Sequence, residues 1–259
     1  MASWLSAATS LAMTTPWPTS SRGSASADPL FAQIVLRHTR KTAYASDRTL
    51  PDNLVRSWAD SASRFGLRSG LATGAAAMDP IRRITREAYE IEVTTARTWL
   101  ESARLMRIGP GAIAANPDGI SMNSPMVRLL HRIGLFDPME VPAKGSSSLQ
   151  RVMEHWMPLE TASGFLWLAS PDNTRSMQVA SGRAYVRAHL LATAAGVDMH
   201  PLSQALQEFP EMRGPREALY QTLDLGAADQ TLQMLSRVGF ATEALGPSPR
   251  RSLDSLLRI

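Results

Sequence analysis

Two short basic runs concentrate the groups that could hold an anion. The first, Arg37-His38-Thr39-Arg40-Lys41, places three cations, a hydroxyl and a histidine within five residues, just ahead of Tyr44-Ala45-Ser46-Asp47. Phosphate binding needs several donors and positive charge converging on one point, and a guanidinium fork suits bidentate contacts. The second, Pro247-Ser248-Pro249-Arg250-Arg251, sets two arginines on a backbone that its prolines hold extended. Each run also has a plainer reading. Cations at a helix C-terminus complement the helix dipole, and a basic run near a chain end can be a solvated tail. Taken singly, neither run decides between the two.

Other chemistry finds little support. His131, His155 and His200 are scattered, with no metal-type spacing among themselves or with carboxylates, so no metal site is expected. His189 falls inside a helical pattern and reads as a packing residue. Glu87, Glu90 and Glu92 read as the solvated face of their helix, and no carboxylate pair suggests acid–base catalysis. GxSxG, Walker and GxGxxG patterns do not occur. The chain has no cysteine, which rules out disulfides, thiolate nucleophiles and cysteine-held metals, and fits a reducing cytoplasm. A net charge of +4 over 259 residues is far from the basic stripe of a nucleic-acid binder. Arginine carries nearly all of the positive charge, the lysines being Lys41 and Lys144. No stretch approaches the roughly 20 apolar residues of a membrane span. The patch Trp4 to Met13, followed by Ala25-Ser26-Ala27, has some features of an export signal but no preceding cation.

These runs must be positioned by a mixed framework. Residues 1–27 read as a linker or the remnant of a preceding unit, and residues 28–259 as one domain. Asp28-Pro29 signals a helix start, with Leu30, Phe31, Ile34 and Val35 at helical spacing. Pro51-Asp52 opens a helix burying Leu54, Val55, Trp58 and Ala62. Asp79-Pro80 opens a long one to about Arg104, with Ile81, Ile84, Ala88, Ile91, Thr95 and Trp99 as its stripe. Residues 106–160 form a loop-rich excursion with a short helix at Met126 to Ile133. Gly164 to Ala169 reads as a buried strand, and Thr174 to Ala195 as a helix with a small-residue face closed by Gly196. Short helices are expected at Leu202 to Glu208 and Arg216 to Leu223. Thr231 to Phe240 is ambiguous, its alternation favouring a strand. The expected class is α+β, with one central, mostly antiparallel sheet flanked by helices.

The order of segments resembles the nitroreductase superfamily, most closely its Acg-type FMN-binding oxidoreductases. The resemblance rests on a helix ending in RHTRK, the GFLWLAS strand, the helix SGRAYVRAHLLATAAGV, and SRVGF followed by PSPRRSLDSLL. It covers about residues 28–259. It implies that Arg37, Thr39 and Lys41, with His38 as an additional contact, meet the flavin phosphate and ribityl chain. It also implies that Arg250 and Arg251 reach the same phosphate, some 200 positions away. FMN as cofactor, NAD(P)H as co-substrate, a small-molecule electron acceptor such as a nitro compound or quinone, and a homodimer follow from the same resemblance. Two features depart from it. The Ala-Pro-Ser…Asn…Gln-Pro-Trp stretch and the Pro-Glu-Gly turn of many relatives are missing, which leaves a non-catalytic FMN-binding or storage protein as the alternative. Acg-type chains hold two halves, and this chain resembles the second half with the end of the first.

Overall fold

A computed structural model describes residues 26–156, 158–226, 230–243, 246 and 248–257. The Trp4 to Met13 patch, Ala25 and Pro247 lie outside these residues.

The chain enters through a 3-10 turn, Phe31–Gln33, rather than the expected helix. A helix this short depends on burying a face, and here Leu30 is buried while Phe31, Ile34, Val35 and Leu36 are exposed. After it come α1 (Asp52–Ser63), β1 (Arg68–Ala72), α2 (Ala75–Thr94) and α3 (Ala96–Arg104). The single long helix expected from Asp79-Pro80 is therefore two. It begins earlier, at the helix-forming Ala75-Ala76-Ala77, and Pro80 sits within α2. It breaks where Thr95 turns extended, with the hydroxyls of Thr94 and Thr95 bonded back to the carbonyls of Glu90 and Ile91.

The 106–160 stretch holds more regular structure than its Gly/Pro punctuation suggests: β2 (Met106–Ile108), α4 (Gly109–Ala115), β3 (Ile120–Met122), α5 (Pro125–Arg132) and α6 (Ser147–Trp156). β2 and β3 pair in parallel as a small separate sheet. Gly119, at φ +70°, makes the turn into β3. A Cβ there would lie 2.3 Å from the Leu105 carbonyl oxygen, so only glycine fits.

The central sheet combines β1 with β4 (Gly164–Ser170), β6 (Thr231–Gly239) and β5 (Asp198–Pro201), in the order β1-β4-β6-β5, antiparallel throughout. All seven residues of β4 are buried, because helices cover both faces. Phe165, Trp167 and Ala169 point one way, against α2 and α8 (Arg213–Thr222). Leu166 and Leu168 point the other, against α1 and α7 (Arg175–Ala194). α7 buries Ser181, Ala184, Ala188 and Ala192, small enough for α1 to approach closely, and ends at Gly196 with φ +67°. A closing helix, α9 (Leu253–Leu257), follows the second basic run.

An irregularity in β6 sets which of its side chains face the core. The β4–β6 register shifts between Leu168 and Ala169, whose partners are Met234 and Leu232, leaving Gln233 as an extra residue in β6. Leu232 and Leu235, three apart, therefore share one core. Strand alternation then places Arg237 on the face of Leu235.

Candidate functional site

The first basic run leaves the entry turn along the open side of edge strand β5. Thr39 bridges Met199 in parallel, and the Arg40 amide donates to the Met199 carbonyl at 3.3 Å. Along so extended a segment, successive side chains diverge. Arg37 turns to α7, with its guanidinium 3.4 Å from His189 Nδ1. Arg40 pairs with Asp198 at 3.3 Å. Thr39 and Lys41 line a cleft of about 1070 Å³. His38 bonds through Nδ1 to the Leu36 carbonyl, and its own carbonyl accepts from His189 Nε2 at 3.1 Å.

The opposite wall of that cleft carries Ser248, Arg250 and Arg251, and its third side is the Asp118–Ser121 turn into β3. The fold thus brings Thr39, Lys41, Arg250 and Arg251 to one space. Arg37 and His38 are not among its lining residues. Arg251 is committed to Asp118, which also receives Arg107 at 3.0 Å, and these two guanidiniums hold the Asp118 carboxyl below its ordinary pKa. Arg250 donates to the carbonyl of Pro249 at 2.9 Å and stays exposed. The donor set suits a phosphate ester: a hydroxyl, an ammonium and one or two forks on facing walls.

Behind Lys41 lies a group that no basic run in the sequence marks. Arg237, in the middle of β6, is fully buried. Its Nε donates to His200 Nδ1 at 3.0 Å, directly across the β5–β6 pair. Nη1 donates to the Pro158 carbonyl at 3.0 Å, and Nη2 to the carbonyls of Thr42 at 2.7 Å and Arg40 at 3.3 Å. The guanidinium lies 4.1 Å from the Tyr44 ring centre. Tyr44 in turn donates to the Arg40 carbonyl and packs on Gly239, where a Cβ would stand 2.4 Å from its ring. The carbonyls on both sides of Lys41 are therefore held by one buried cation.

Two buried histidines bracket the segment. His189 holds residues 37 and 38, and His200 shares Arg237 with residues 40 and 42. Burial, reinforced by Arg37, pushes the His189 pKa down to about 4. Burial, with Arg237 and then Lys41, pushes His200 down to about 3. Both are neutral at pH 7. Burial also lowers the Lys41 pKa.

A second, smaller cavity of about 170 Å³ adjoins the cleft and shares Lys41 and Ile120 with it. Its polar and aromatic walls include Tyr89, Glu92, Thr98, Trp99, His200 and Gln204. Glu92, expected on a solvated face, is half-buried and accepts from Gln207 at 2.9 Å, because the segment after β5 packs over α2. Among the described residues, no cluster of His, Asp and Glu could hold a metal ion, and no helix is long and apolar enough to cross a membrane.

A four-stranded antiparallel sheet between helix layers, with a basic cleft on the side of its edge strand, defines the class: the chain has the nitroreductase fold. An FMN- and NADPH-dependent nitroreductase, NfnB, from Sphigopyxis sp. strain HMH superposes with a TM-score of 0.55 at 16% identity, over 89% of this chain and 98% of that one. The FMN-dependent nitroreductase NfnB from Mycobacterium smegmatis, solved with NADPH, gives 0.54 at 17% identity, over 88% and 96%. A nitroreductase with bound FMN from Bacteroides fragilis gives 0.51 at 10% identity, over 90% and 100%. No protein-family model matches the chain, and no curated protein matches its sequence.

Proposed function

We propose that the chain is an FMN-dependent oxidoreductase that passes hydride from NAD(P)H through flavin to a nitro compound, quinone or similar small acceptor. The observation that carries this reading is the convergence of Thr39 and Lys41 with Arg250 and Arg251 on one cleft, across some 200 positions of sequence. Thr39, Lys41 and Arg250 would hold the flavin phosphate, and Arg251 would join them by exchanging Asp118 for phosphate. Arg37 and His38 would support the segment from behind. The flavin, when bound, supplies the hydride chemistry, and the protein supplies binding, orientation and exclusion of water, so no dedicated acid or base is required. The cleft fits this role in size and in donor chemistry.

The chain would act as a homodimer. Support comes from the exposed apolar side chains of Phe31, Ile34, Val179 and Val186 around one groove, with Val35 and Leu36 also exposed next in sequence, a surface that a monomer rarely leaves open. A cytoplasmic location fits the absence of cysteine.

Absorbance and turnover test the reading. The purified protein should be yellow, or be raised in melting temperature by added FMN, and should consume NADPH with a nitro or quinone acceptor. A colourless protein whose melting temperature ignores FMN overturns it. Yellow without turnover would mark the Acg-type storage reading, which the missing Pro-Glu-Gly turn favours.

A further inference from the structure

Helix α5 is well formed and amphipathic, yet none of its residues is buried. Pro125 opens it, and the Ser124 hydroxyl accepts from the Val127 amide. It closes at Gly134, φ +74°, where the Gly134 and Leu135 amides donate to the carbonyls of His131 and Leu130. Helical spacing sets Met126, Leu129 and Ile133 on one face, and the closing turn folds Leu135 back over the last turn. These four side chains are each more than half exposed, while Val127 and Leu130, on the neighbouring edge, are half-buried. The helix is thus held along one edge and turns its apolar face outward.

The charges beside that face have one sign. Arg128 and Arg132, four apart, form the row next to Leu129, and from Gly119 to Phe136 the chain has no acidic residue. Among the described residues neither arginine pairs with a carboxylate. Upstream, Asp118 is taken by Arg107 and Arg251; downstream, Asp137 caps the Met139 amide at 2.8 Å. Like charges at this spacing oppose the helix until an anion meets them. A second copy would bring the same sign, since the chain carries +4 and the groove beside α7 is rimmed by Arg183 and Arg187.

We propose that this face docks on an anionic lipid surface. Met126, Leu129, Ile133 and Leu135 enter between the headgroups, and Arg128 and Arg132 meet the lipid phosphates. At eight residues α5 is far too short to cross a bilayer, so it lies in the plane of the surface and binds reversibly. The docking needs no flavin and goes beyond the oxidoreductase reading, so either can fail alone.

Flotation of the full chain with vesicles, with and without FMN, tests it. Vesicles containing phosphatidylglycerol should carry the protein, and pure phosphatidylcholine should carry about tenfold less. Raising salt to about 0.5 M should release it from phosphatidylglycerol. Arg128→Gln with Arg132→Gln should lower binding about tenfold, and Leu129→Glu with Ile133→Glu at least as much. All four side chains are exposed, so the melting temperature should hold in both variants. If a variant does not fold, the wild-type comparison of the two lipids and the salt release still decide. No flotation with phosphatidylglycerol, or equal binding by the wild type and both variants, overturns the proposal. So does sedimentation velocity in which Leu129→Glu with Ile133→Glu splits a dimer that vesicles do not capture, because the face then covers a second copy.

Discussion

The two walls of the cleft present similar side chains but are built in opposite ways. Residues 37–44 are bolted to the interior by His189, Arg237, Tyr44 and Asp198, so Lys41 stands on a backbone whose carbonyls are already spent. Residues 248–251 lie on the surface, where Arg250 bonds to its own run and Arg251 to Asp118. One wall is preorganised, and the other must exchange partners when an anion arrives. The lesson is that a cation's role depends on what holds its backbone, since preorganised groups lose less freedom on binding.

The sharpest way to break the contrast is Arg237→Met. It strands the Thr42 carbonyl and His200 Nδ1 in the interior, leaves the Arg40 and Pro158 carbonyls to Tyr44 and Thr161 alone, and should lower unfolding free energy in urea by about 3–5 kcal/mol. Arg250→Ala should change stability by less than about 0.5 kcal/mol while weakening FMN, measured by fluorescence quenching, by about tenfold or more. Equal stability losses from the two variants would erase the distinction.

Acidification probes the same wall. His189 and His200 have folded pKa values near 4 and 3, below the unfolded value of about 6.5, so the unfolded chain binds more protons between these limits. Stability from both histidines is therefore full above pH 6.5 and declines as pH falls through that window. The loss is about 2 kcal/mol per histidine at pH 5. Urea titrations at pH 7 and pH 5 measure it, and His200→Asn should remove roughly half of the difference.

Gly239→Ala should cost about 1–3 kcal/mol by pushing Tyr44 off its seat, seen as a lower melting temperature. The smallest effect belongs to Asp118→Ala. It releases Arg251 and should tighten FMN binding two- to threefold with little change in melting temperature. Weaker binding would mean that Asp118 orders the second wall rather than competing for it.

Much of the scaffold was legible in residue order. The β4 run and α7 with its closing Gly196 follow from local pattern, because their burial is written in adjacent residues, whereas β6 was ambiguous, since the bulge at Gln233 breaks the alternation that favoured a strand. Strands β1 and β5 were not legible, since Arg68–Ala72 and Asp198–Pro201 are short and acquire strand character by pairing with distant segments. The entry helix failed for the converse reason: its spacing was helical, but only Leu30 is buried, and Phe31, Ile34, Val35 and Leu36 stay exposed. At the site, cation density marked two runs from which Thr39, Lys41, Arg250 and Arg251 line one cleft. It could not say that Arg37 and Arg40 turn aside, nor that Arg237, an isolated arginine in a strand, is the group that supports Lys41.

Beyond the bulge at Gln233, inside and outside in β6 are set by a count rather than by residue type. Deleting Gln233 would only close the bulge, whereas deleting Ser236 would remove none of the cations yet make Arg237 follow Leu235 directly, so that the two could no longer share a face. A chain that lost Ser236 and kept Leu235 in its core would turn Arg237 toward α7, away from His200. The parity of one strand thus carries information that no comparison of composition would detect, and a single lost codon would erase it.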